Sequence, residues 1–69
     1  MKFEVIDKKD KVFCGDLADC IRHMKGLGSP LALDVENTGL DFSLMKLIKG
    51  KMLTLEDKDE IEIRVTRIL

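Results

Sequence analysis

Leu17, Cys20, Ile21, Met24 and Leu27 recur at the spacing that lines apolar side chains along one face of a helix. A helix from Asp16 to about Leu27 must bury that stripe, while Asp19, Arg22 and Lys25 fall on its other faces. Gly15 or Asp16 suits the N-cap, and acids at 16 and 19 suit the positive end of the helix dipole. Gly26 or Gly28 supplies the C-terminal stop, and Ser29-Pro30 forbids continuation.

The segments around this helix read as extended. Lys2 to Asp7 alternates about Phe3 and Val5, which predicts a first strand, and Asp7-Lys8-Lys9-Asp10-Lys11 predicts an exposed charged turn. Val12 and Phe13 either extend a strand or tuck beneath the helix. Leu31, Leu33 and Val35 alternate with Ala32, Asp34 and Glu36, predicting a strand with one buried face. Asn37-Thr38-Gly39 signals a hairpin turn, from which Leu40 to Phe42 returns antiparallel. At Ser43 the period changes: Leu44, Leu47 and Ile48 follow helical spacing, so Ser43 reads as the N-cap of a second helix fading near Gly50. Met52, Leu53 and Leu55 form an apolar connection, Glu56 to Asp59 a polar turn, and Glu60 to about Ile68 a last strand. The expected order is β-α-β-β-α-β in one domain, residues 1–69, with both helices on one face of one sheet.

At 69 residues the buried fraction of surface is low, so a protein partner or a second copy is expected to add stability. The 45% hydrophobic content suffices for a core. No run approaches transmembrane length, and the start carries Glu4 among its apolar residues, unlike a secretory signal. These features predict a cytoplasmic protein without membrane attachment. Twelve basic residues against thirteen acidic ones provide no drive towards a polyanion, and three phenylalanines offer few stacking platforms, so nucleic-acid binding is not expected. Two cysteines are too few for a disulfide scaffold. One histidine and no C-x-x-C leave no metal set, and no cofactor is implied.

Asn37-Thr38-Gly39, then Ser43-Leu44-Met45-Lys46-Leu47, then Lys58-Asp59-Glu60-Ile61-Glu62-Ile63, resembles the second half of the histidine-containing phosphocarrier (HPr) family of the bacterial phosphotransferase system. The resemblance covers roughly residues 31 to 66. It implies an open-faced, two-layer β-sandwich of the α+β class: four antiparallel strands in the order 1-4-2-3 with two helices on one face. A ferredoxin-like arrangement, 4-1-3-2, shares the same element order. The family transfers phosphate through a histidine at the start of its first helix. The corresponding stretch here, Lys11 to Leu17, has no histidine, arginine or proline, and Asp16 would repel a phosphoryl group. The family also has a helix after the last strand, which this chain, stopping at Leu69, would lack.

Phosphocarrier chemistry is therefore expected to be lost. No triad, carboxylate dyad, phosphate loop or metal cluster appears, and no enzyme is predicted. The expected function is protein binding or regulation; the alternative is an active carrier or regulator phosphorylated at Ser43 or His23. Ser43 aligns with a serine that a dedicated kinase phosphorylates in some members of the family. Cys14, ahead of a helix N-terminus, is a candidate reactive thiol, opposed by Asp16 and Asp19. Cys20 reads as core. The resemblance further implies a docking patch around Met45, Lys46, Lys49 and Phe13.

Overall fold

The computed structural model describes residues 1–56 and 62–69. The expected polar turn after Glu56, and Glu60 and Ile61 at the head of the last strand, lie outside those residues. Strands β1 (Phe3–Ile6), β2 (Val12–Gly15), β3 (Met52–Glu56) and β4 (Glu62–Arg67) form one antiparallel sheet in the order β2-β1-β4-β3. Between β2 and β3 run helix α1 (Leu17–Gly26) and three short helices, α2 (Pro30–Leu33), α3 (Val35–Thr38) and α4 (Leu40–Met45). The class is α+β with an open four-stranded antiparallel sheet, as expected, but the element order is different.

The register sorts the side chains by face, because residues directly opposite in a ladder project to the same side. Phe13, Val5, Val65 and Leu53 form one row across all four strands, and Leu55 with Ile63 extends that face. Against it pack Cys20 and Met24 from α1, Ala32 from α2, and Leu40 and Leu44 from α4, all buried. Each large side chain fully buried here contributes roughly 1.5–3 kcal/mol. The opposite face carries two mixed rows: Cys14, Glu4, Thr66 and Met52; then Val12, Ile6, Arg64 and Thr54.

Pairing of the first strand with the last is shared by the 1-4-2-3 and 4-1-3-2 arrangements, and it is present as β1 against β4. The flanking places are not filled as either arrangement requires. Residues 31–36 and 40–42, expected as strands, are helical apart from the turn residue Asp34, and β2 and β3 take the sheet edges. Leu31, Leu33 and Val35 alternate, but Leu31 and Val35 are also four apart, as are Leu40 and Leu44. The helical pairing wins: Ala32, Leu40 and Leu44 are buried, whereas Leu33 and Phe42 are 61% and 62% exposed. Pro30 does not only stop α1. It opens α2, where its missing N–H costs nothing.

Gly39 is likewise a helix device rather than a hairpin residue. At φ 67° and ψ 25° it ends α3, donating its N–H to Val35 O, and it stands at the N-cap of α4. Ser43 is inside α4, its N–H donated to Gly39 O at 3.0 Å, so the expected capping role for Ser43 is corrected. The expected second helix, Ser43 to about Gly50, is shifted to Leu40–Met45. Met52–Leu55, expected as a connection, is most of β3; Leu53 and Leu55 face the core and alternate with Met52 and Thr54.

These assignments predict opposite outcomes for neighbouring substitutions. Gly39→Ala should cost about 1 kcal/mol, the strain of a left-handed non-glycine residue. Ser43→Ala should stay within about 0.5 kcal/mol of the parent, because exposed helix interiors favour alanine. Urea unfolding measures both; a loss of about 1 kcal/mol for Ser43→Ala would restore the capping role.

Candidate functional site

The junction between β2 and α1 is fixed by Asp16. Its carboxylate accepts the Asp19 N–H at 2.9 Å, capping α1, and that bond holds the Asp16 carboxyl below the usual range. A depressed carboxyl stabilises the folded state above its unfolded pKa, and the contribution fades as pH falls through the acid range. Gly15, one residue earlier, is buried and allows close approach: an added Cβ would meet Asp19 Cβ at 3.0 Å and the Phe13 ring at 3.1 Å. Phe13 can therefore lie back towards α1, where its ring stacks on His23 with centroids 4.3 Å apart and planes 6° from parallel.

The two cysteines fall on different sides of this junction. Cys20 is buried, its thiol directed at Gly15 O (3.5 Å) and Phe3 O (3.7 Å), and burial pushes its pKa up to about 11. Cys14 is exposed and sits opposite Glu4 on the face of the sheet away from α1. Cys14 stands ahead of the α1 N-terminus in the chain, as expected, but strand alternation turns its side chain away from α1.

The β1–β2 turn is held by Asp7, whose Oδ1 accepts the N–H groups of Lys9 (2.8 Å) and Lys11 (3.0 Å). Asp10, at φ 60°, places its carboxylate 3.3 Å from Arg64 on β4. Between this turn, the end of α1 and the start of β4 lies a groove of about 670 Å³, walled by Val12, Phe13, His23, Gly26, Leu27 and Ile63, with Lys8, Lys9 and Lys11 along the turn side. Sequence reasoning missed this groove. Its lysines read as an exposed charged turn and His23 only as an alternative phosphorylation site; only the fold brings them together.

The expected docking residues separate into two places. Phe13 lines the groove, whereas Met45, Lys46 and Lys49 do not. Met45 is 47% exposed on α4 with Lys46 and Lys49 exposed behind it. Phe42, three residues earlier on α4, and Ile48 in the following turn are 62% and 67% exposed. Ser43 is exposed between Phe42 and Leu44. Loop 46–51 is anchored through Arg67, which donates to Leu47 O at 3.0 Å and whose carbonyl accepts the Gly50 N–H at 2.7 Å. Among the described residues no group of three His, Cys, Asp or Glu side chains could hold a metal ion, and no helix is long and apolar enough to cross a membrane.

No family model, curated protein or solved structure matches the chain.

The thiols should differ in reactivity. Titration of the native protein with an aromatic disulfide reagent should modify Cys14 alone, with Cys20 reacting only on unfolding, and Cys14→Ser should abolish the native reaction. Rapid native modification of Cys20 would contradict its burial.

Proposed function

We propose that this is a non-catalytic protein-binding or regulatory domain that docks an acidic partner through the exposed apolar side of α4 and the turn after it. The single observation that carries this is the exposure of Phe42, Met45 and Ile48 beside Lys46, Lys49 and Lys51. Phe42 and Met45 are three apart and therefore neighbours on the helix surface. Their apolar area is left to water at a cost that docking would remove, and the lysines select for negative charge around it. A cytoplasmic setting is part of the proposal, supported by two free thiols, one of them exposed.

Ser43 is exposed one residue after Phe42 on the flank of α4, so a phosphate there would add negative charge near the docking surface and disfavour an acidic partner. Phosphorylation at Ser43 is accordingly a regulatory extension of the docking proposal.

The test uses the parent and a Met45→Asp variant as baits in the native lysate, with circular dichroism to establish that both fold. Proteins retained by the parent should be lost from Met45→Asp and should elute at about 1 M salt, where the screening length is about 3 Å. A folded Met45→Asp variant that retains every partner would refute the docking surface. Acid-labile phosphate on His23, after incubation with phosphoenolpyruvate and the general phosphotransferase enzyme, would replace the proposal with an active carrier.

A further inference from the structure

We propose that the groove between the β1–β2 turn and the end of α1 is a binding site for a small organic anion with an apolar, aromatic body. The groove is distinct from the α4 surface: none of Phe42, Met45 or Ile48 lines it. Its volume of about 670 Å³ falls within the range of small-molecule sites, and its walls are mainly apolar. Phe13 and Leu27 would take the apolar body, with Phe13 held in place by its stack on His23.

Gly26 is the independent sign that the space is kept open. It is the last residue of α1, and a Cβ added there meets nothing within 4 Å. Its backbone is not in the left-handed region, a role taken two residues later by Gly28 at φ 81°. Neither conformation nor packing calls for glycine at 26, and in a helix it costs about 1 kcal/mol relative to alanine. What its bare backbone does provide is room on the groove wall.

The charge of the site follows from where the turn's acids are engaged. Asp7 is committed to the Lys9 and Lys11 N–H groups, and Asp10 lies against Arg64. Three carbonyls in the last turn of α1 are hydrogen-bonded: His23 O and Met24 O accept from Leu27 N, and Lys25 O from Gly28 N. Asp7 and Glu62 are both acids on the lining, and the bonds Asp7 accepts from neutral N–H groups leave its charge in place. The Lys9 and Lys11 side chains on the turn wall are left to meet an incoming anion, and Glu62 restricts that anion to the lysine side.

Anilinonaphthalene sulfonate serves as the probe, titrated into isotope-labelled full-length protein and followed by amide NMR. Uncharged phenylnaphthylamine and inorganic phosphate are titrated alongside. The expected result is saturable binding of the sulfonate with shifts confined to residues 7–13, 23–27 and 62–63, and weaker binding of both controls. Lys9→Glu combined with Lys11→Glu should weaken it about tenfold, as expected for reversing two exposed rim charges. Gly26→Leu should fold at least as well as the parent and lose binding by filling the groove. The proposal is overturned by shifts centred on Phe42, Met45 and Ile48, by unchanged binding in folded Gly26→Leu, or by either control binding as tightly as the sulfonate.

Discussion

The pairing of β1 with β4 is the interaction on which the rest of the structure depends. It sets Val5 opposite Val65 and Phe3 opposite Arg67, joining the two ends of the chain in the middle of the sheet. β2 and β3 each attach to one member of that central pair, so neither edge strand has a place without it. The row from Phe13 through Val5 and Val65 to Leu53 is the floor on which α1 lays Cys20 and Met24. Closing such a distant contact is costly in chain entropy, and buried valines with a continuous ladder repay it.

Both candidate surfaces follow from that arrangement. With β2 and β3 completing the sheet, the segment from Pro30 to Met45 packs as helices, α2 and α4 against α1. Helices of four to six residues do not persist alone and borrow their stability from Ala32, Leu40 and Leu44 in the core. Once Leu40 and Leu44 are turned inward, Phe42 and Met45 must turn outward, leaving an apolar surface next to lysines. The groove has another origin: Gly26 leaves its wall bare at the end of α1, and Asp7 folds the lysine-bearing turn across from it.

The sequence was most legible where one period had no rival. The stripe from Leu17 to Leu27, its Asp16 cap, and the alternation about Phe3, Val5, Ile63 and Val65 all stand as expected. Between Pro30 and Met45 the same residues satisfy two periods, and local pattern favoured the strand reading. What decided it was tertiary: the sheet edges were already occupied by β2, four residues of which only Gly15 is buried, and by β3, which resembled a connection. Gly39 and Ser29-Pro30 were correctly seen as punctuation, but they join helices instead of separating strands. The groove was illegible because its members come from a turn, a helix end and a strand start that only the fold assembles.

The segment from residue 30 to 45 forms three short helices beside a β2-β1-β4-β3 sheet, and backbone NMR tests this most directly. The expected result is helical carbon shifts through Pro30–Leu33, Val35–Thr38 and Leu40–Met45, with cross-strand contacts joining Val5 to Phe13 and Val65, and Val65 to Leu53. Extended shifts at 31–36 and 40–42, with contacts linking those segments to each other and to β1 or β4, would contradict it and return the chain to a β-α-β-β-α-β order.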